Sequence, residues 1–322
     1  MALLDVANLK MYYRTFEGYV RAVDDLSFKV ESRRALGLVG ESGCGKTSVA
    51  ITLMKILPRN AKIFGGKVIF DGKNIVDMSE TSLRNNIRWK GISLIFQGAM
   101  NALNPVFKIE DQIVEAIKLH EKNVNEKEAK ERVGKLFELV GMDSSRTRNY
   151  PHEFSGGMKQ RACIAMALAC NPKLLISDEP STALDVIVAA QILELLRELK
   201  LKLNLGMIVI SHDLSIVTET CEDAAIMYAG NIVEYGEIVD IFKEPLHPYT
   251  QGLLSAFPSI TAEKTRLISI PGSPPDLTKP PPGCRFNPRC KYTMDVCIKK
   301  VPRLLKLSKN HYVACHLVNP VD

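Results

Sequence analysis

No apolar run in the sequence is long enough to cross a membrane. The longest wholly apolar stretch, residues 162–170, has nine residues, where a helical span needs about 20. A secretory leader is not in evidence either: the chain opens Met1-Ala2-Leu3-Leu4-Asp5, with no basic segment ahead of an apolar one. The expected compartment is the cytosol, and the eight cysteines are expected to be reduced thiols or metal ligands. There is little excess of one charge. Lys and Arg (42) exceed Asp and Glu (36) by six, which does not mark a nucleic-acid binder, although it suits one, or work beside an anionic membrane. Internal repeats, low-complexity tracts and the C-x2-C knuckles of zinc ribbons are missing as well.

What is present is a chain of 322 residues, 46% apolar and 24% charged. That composition predicts a soluble globular protein of about two domains, long enough to bury a sizeable core. Over the first 230 or so residues strand-like and helix-like patterns alternate. Ala35–Val39 reads as a buried strand, and residues 47–57 as a helix carrying Ala50, Leu53, Met54 and Leu57. Residues 173–177 and 207–210 read as strands, separated by a helical stripe of Val188, Ile192, Leu195, Leu196, Leu199 and Leu203. Such alternation predicts an α/β fold: a parallel sheet with helices on both faces. Residues 20–30 and 67–70 look like antiparallel strands at its edge. Between about 98 and 165 the pattern turns helical, with Ile109, Ile113 and Ile117 and then Ala129, Val133, Leu136, Phe137 and Val140; its charge run 121–135 reads as a solvated face. Seven of the 17 prolines fall between Pro258 and Pro282, an extended connector.

Gly40-Glu41-Ser42-Gly43-Cys44-Gly45-Lys46-Thr47 fits G-x-x-x-x-G-K-[ST] between a predicted strand and a predicted helix. Glycines let backbone amides wrap a phosphate chain, and a helix N-terminus adds partial positive charge. Lys46 is placed to reach the terminal phosphates and Thr47 to ligate Mg2+. Cys44 reads as a spacer, not a nucleophile.

The strand at 173–177 ends in Asp178-Glu179. Parallel sheets present chemistry at the carboxyl ends of their strands, so Asp178 is placed to hold the metal and Glu179 to polarise an attacking water. Helix capping is the plain alternative for two such acids, and the phosphate loop favours nucleotide hydrolysis. His212, after the 207–210 strand, is placed to contact a γ-phosphate. Gln97, after Ile95-Phe96, can ligate metal or orient water at a hinge into the helical insertion.

Phe154-Ser155-Gly156-Gly157-Met158-Lys159-Gln160-Arg161 precedes an apolar helix. It resembles the signature of ATP-binding-cassette (ABC) ATPases, with Phe for Leu and Met for Gln. Ser155, Gly156 and Gly157 at a helix start make a second anion site without a lysine. In that family the site closes over ATP held by the opposite subunit. Ser181-Thr182-Ala183-Leu184-Asp185 looks like the family's dimer-contact segment, and Tyr13 matches its adenine-stacking aromatic, with a core role as the alternative. Residues 95–106, His247-Pro248-Tyr249-Thr250-Gln251 and Pro282-Gly283-Cys284-Arg285-Phe286-Asn287-Pro288-Arg289-Cys290 resemble the oligopeptide/dipeptide importer branch. Departures are Arg33-Arg34, where the branch usually has Gly-Glu, and Thr47 for Ser.

The last 39 residues hold Cys284, Cys290, Cys297 and Cys315, spaced C-x5-C-x6-C-x17-C. Four thiols in a small segment with few apolar residues suggest a metal staple. The residues leave open iron–sulfur, zinc with His311 or His316 replacing a ligand, and unmetallated thiols; the resemblance implies a 4Fe–4S cluster. Cys163, Cys170 and Cys221 read as core.

The resemblance implies a P-loop, RecA-like ABC domain over 1–257, with an antiparallel β subdomain and a helical signature subdomain at about 98–165. The Pro-rich connector at 258–283 and a metal-binding extension at 284–322 follow. It further implies an ATP-hydrolysing subunit of an importer of oligopeptides, dipeptides or a related solute such as an oligosaccharide or nickel. The implied partners are a second ABC ATPase, two transmembrane permeases and an extracytoplasmic solute-binding protein, with the chain peripheral at the cytoplasmic face of the membrane. The alternative is a soluble ABC ATPase acting on nucleic acid or ribosomes. That reading calls for a coiled coil, a second cassette or a strongly basic face, none of which the sequence shows.

Overall fold

A computed structural model describes residues 2–255, 270–308 and 310–318. The chain forms two compact units: Met1–Leu3, Val30–Ala35 and Asp77–Ile210 in one, and Leu4–Lys29, Leu36–Val76 and Ser211–Asp322 in the other. Among the described residues no helix is long and apolar enough to cross a membrane.

The first unit contains the parallel strands Ile92–Ile95, Leu174–Asp178 and Gly206–Ser211, paired Ile95↔Ser177 and Asp178↔Ile210. All of Leu174–Asp178 and Gly206–Ser211 is buried, as expected of strands covered on both faces. The helical insertion is present. Ile109–His120 and Glu126–Leu139 bury the residues that their spacing singled out, including Ile113, Ile117, Val133 and Phe137. The second of these starts with a capping box: the Asn125 side chain accepts the Glu128 N–H, and Glu128 returns the bond. The charge run is not purely a solvated face, because Arg132 makes a two-pronged, part-buried pair with Glu121. Val186–Leu203, capped by Asp185 through the Val188 N–H, buries Ile192, Leu195, Leu196 and Leu199, while Leu203 ends 38% exposed.

In the second unit the expected edge strands form a sheet of their own. Its order is Gly18–Val30, Leu4–Thr15, Ala61–Phe70, Lys73–Asn74, with Leu4↔Phe70 and Tyr13↔Ala61 fixing an antiparallel register. Ala35–Val39 runs parallel to Asp223–Tyr228, which pairs antiparallel with Asn231–Glu237. The helix after the phosphate loop is Lys46–Leu53, shorter than expected: Lys55 turns left-handed at φ 50, and Pro58 follows.

The C-terminal segment does not stand apart as a small stapled module. His311–Val313 pairs with Asn231–Glu237 through Tyr235↔Tyr312, and Leu305–Ser308 pairs with it in turn. Phe286, Cys297, Val313, Ala314 and Cys315 are buried, so the tail folds by joining a sheet edge and has an apolar core. Of the connector, residues 258–269 lie outside the described residues, while 270–283 run without helix or strand.

Candidate functional site

Ala35–Val39 delivers the chain into Gly40, and the helix Lys46–Leu53 opens directly after the loop. Gly45 caps that helix at φ 107, and a Cβ there would stand 2.1 Å from the carbonyl oxygen of Ala22. Only glycine fits both the backbone and the space. The first turn of the helix carries no acidic residue, which leaves its partial positive charge uncancelled for an anion. Lys46 is buried, and its ammonium donates to the carbonyls of Gly40 (2.7 Å) and Glu41 (3.1 Å). Ser42, Gly43 and Thr47 are exposed along the loop. Cys44 is buried with its thiol pushed up by burial, in keeping with a spacer. Tyr13, half-buried, shares a 3.0 Å hydroxyl hydrogen bond with Ser48 of the same helix. The neighbouring Tyr12 makes the aromatic packing instead, stacking on Phe64 with rings 4.7 Å apart. His212, exposed, lies just beyond Gly206–Ser211.

In the other unit, Asp178 is a buried carboxylate at the end of its strand. Glu179 takes a left-handed backbone, φ 48, held by its N–H donating to Ile210 O at 2.9 Å. A non-glycine residue there is strained, and such strain collects at working sites. Its Oε2 accepts from Gln97 Nε2 (3.1 Å) and Thr182 Oγ1 (2.8 Å). Thus Gln97, Glu179 and the 181–185 segment meet at one carboxylate. Ser155 caps Gly156–Ala167 by accepting the Met158 N–H, and Ser155 and Gly156 are exposed, leaving that helix start open. Gly157 is required by packing: a Cβ there would lie 2.6 Å from Val188 Cγ1.

Cys290 and Cys297 lie near enough to Cys284 and Cys315 to oppose the ionisation of those two thiols. Burial pushes the Cys284 thiol up to about 12 and raises Cys315, so Cys284 and Cys315 stay protonated unless a cation offsets the charge. The expected ligand set is nevertheless not assembled. Among the described residues no three His, Cys, Asp or Glu converge to hold a metal ion. The histidines proposed for a zinc site are engaged elsewhere, His311 Nε2 with Glu234 Oε1 (2.7 Å) and His316 Nε2 with Lys300 O (2.9 Å). Cys163 and Cys170 are buried core thiols raised by burial to about 12 and about 11.

Two residues beside the phosphate loop carried no chemical role in the sequence. Tyr249 accepts the Glu41 N–H at 3.0 Å, and Arg289 grips the Glu41 carboxylate at 2.7 and 3.0 Å. Both lie in segments that stood out only as marks of a family branch.

The ABC transporter family matches residues 23–182, and the oligopeptide/dipeptide transporter C-terminal region matches 233–297. The oligopeptide transport ATP-binding protein OppD of Escherichia coli is 46% identical over 98% of this chain and 93% of its own length. The dipeptide transport ATP-binding protein DppD of Caldanaerobacter subterraneus is 39% identical over 98% and 97%. Among solved structures, cbiO1 from Clostridium perfringens superposes with a TM-score of 0.65 at 26% identity, covering 76% of this chain and 91% of that one. The ATP-binding cassette MJ0796, solved with ADP and Pi, superposes at 0.64 with 22% identity over 73% and 98%, a likeness of fold.

Proposed function

Because this chain belongs to the oligopeptide/dipeptide group of ABC transporter ATP-binding proteins, we propose that it binds and hydrolyses ATP to drive uptake of peptides or a related solute. The observation that carries this is the end-to-end match to an oligopeptide transport ATP-binding protein. In one unit an open helix N-terminus, a buried lysine and an exposed threonine hydroxyl suit Mg2+–ATP; the other unit carries a buried aspartate at a strand end. The bound Mg2+ would neutralise phosphate charge. The amides of Gly40, Ser42, Gly43, Cys44 and Gly45 and the Lys46 ammonium hold the phosphates, and Tyr13 takes the adenine. Thr47, Asp178 and Gln97 would hold the metal. Glu179 polarises the attacking water, and His212 contacts the γ-phosphate.

Ser155, Gly156 and Gly157 serve the ATP of a second cassette, a paralogue of this one, so hydrolysis is completed by two subunits. Two membrane permeases and an external solute-binding protein complete the importer, with this chain peripheral on the cytoplasmic face. Supporting a docking role, the cleft beside Lys108 and Tyr150 exposes Val106 and Phe107. The test is ATP hydrolysis against protein concentration, with and without the partners. The chain alone should be slow, the partners should stimulate it, and Ser155→Arg should abolish the stimulation while ATP binding persists. Full-speed turnover by a dilute monomer would overturn the two-subunit reading.

The 4Fe–4S cluster on Cys284, Cys290, Cys297 and Cys315, with Zn2+ as the alternative, is the finer part of this proposal. It rests on the four-cysteine spacing and the family resemblance; among the described residues no ligand set converges, and no step of hydrolysis is routed through it. Iron and sulfide analysis of anaerobically prepared chain decides: one zinc per chain without iron removes the cluster.

A further inference from the structure

The loop pattern leaves Glu41 free to be any residue, yet contacts converge on it from three directions. Its N–H donates to the Tyr249 hydroxyl at 3.0 Å. Its carbonyl accepts from Lys46 Nζ at 3.1 Å and from the Cys44 N–H at 3.2 Å. Its carboxylate accepts from both terminal nitrogens of Arg289, at 2.7 and 3.0 Å.

Arg289 is itself fully engaged. Its side chain is 4% exposed. Nε donates to Pro271 O (2.8 Å), and the fork also reaches Tyr228 Oη (3.3 Å) and Ile270 O (3.4 Å). Its guanidinium lies 5.7 Å from the Tyr228 ring centre, in the cluster of Tyr228, Tyr249 and Phe286. The planar fork therefore has one orientation, and it holds the carboxylate in one orientation too.

Two consequences for an anionic ligand follow. A carboxylate inside a phosphate-binding loop repels phosphate, and a guanidinium paired to it cancels that charge. A loop fixed at its amide, carbonyl and side chain also loses less freedom when it binds. We propose that Arg289, together with Tyr249, is a positioning residue for the phosphate loop, so that the C-terminal segment sets the affinity for nucleoside di- and triphosphates. This rests on the loop binding nucleotide, as proposed above. A purely structural pair would only dock the tail; losing it would reduce the folded fraction without changing the affinity of the remainder.

The experiment titrates the full-length chain with fluorescent ATP and ADP analogues in Mg2+, reading both Kd and the number of sites. Arg289→Ala should weaken both nucleotides by the same factor, about tenfold, at an unchanged number of sites, because the unpaired carboxylate now faces phosphate. Arg289→Lys keeps the charge and loses the fork, so about threefold is expected; it also serves as the probe if the alanine variant does not fold. Adding Glu41→Gln to Arg289→Ala should recover most of the loss. A Kd within twofold of wild type for both Arg289 variants, or a double variant weaker than Arg289→Ala, overturns the proposal. Lys46→Ala separates the two readings: if it leaves nucleotide affinity unchanged, the phosphate-loop assignment itself has failed.

Discussion

Replacing Glu179 by glutamine isolates its basicity from its geometry. In the wild type one oxygen, Oε2, accepts from Gln97 at 3.1 Å and from Thr182 at 2.8 Å. Glutamine has one carbonyl oxygen that can take both bonds, so its NH2 falls where Oε1 was. The left-handed backbone at φ 48 and the N–H bond to Ile210 do not involve the side chain, and they should survive. What disappears is the ability to take a proton from water. General-base assistance is worth about 10²- to 10⁴-fold, or about 3 to 5 kcal/mol of barrier. Single-turnover phosphate release by the assembled transporter should fall by that factor, while the ATP dissociation constant stays within about twofold. Equal losses in turnover and binding would show that the substitution disturbed the site. Wild-type release by Glu179→Gln would refute the assignment of Glu179 as the group that polarises water.

Three further outcomes follow from the packing. Burial holds the His247 imidazole at about 4, with Glu234 acting in the opposite direction, and the neutral ring accepts the Tyr249 N–H at 3.0 Å. An unfolded histidine titrates near 6.5. Between those values the unfolded chain carries a proton that the folded chain lacks, so stability is lost as pH falls through that window, by about 3 kcal/mol in full. Urea unfolding from pH 7 to 4.5 should show that slope in wild type and a flatter one in His247→Asn, which keeps an acceptor; identical slopes would remove His247 as the cause. Arg33, exposed at φ 64, occupies a conformation that favours glycine, and Arg33→Gly should stabilise by up to about 1 kcal/mol; a lowered Tm contradicts this. Gly157→Ala should cost about 1 to 3 kcal/mol against Val188, and Val188→Ala in the same chain should relieve most of it. Equal costs in both backgrounds would place the strain elsewhere.

The parts legible in the sequence are those whose chemistry acts over a few residues. A phosphate loop needs glycines, a lysine and a hydroxyl at fixed spacing, because one turn of backbone must wrap one anion. The pattern at 40–47 therefore located the loop and the start of its helix. Asp178 was expected at the end of its strand, and there it lies buried. Where the outcome depends on which segments meet, periodicity has less to say. Apolar spacing extended the first helix to Leu57 because it does not register Lys55 turning left-handed. Alternating residues at 20–30 and 67–70 identified strands but not their partners, which belong to a separate sheet. The tail seemed to need metal because its own apolar residues are few. Paired with Asn231–Glu237, it adds its own buried residues to a larger core, with Phe286 against Tyr228 and Tyr249. Arg289 and Glu41 lie 248 residues apart, and neither one's neighbours distinguish it from a surface charge. Only topology brings them together, and it buries the arginine against two carbonyls and a tyrosine hydroxyl. A bidentate pair in that setting discriminates by shape as well as by sign, which is why lysine at 289 should be an incomplete substitute.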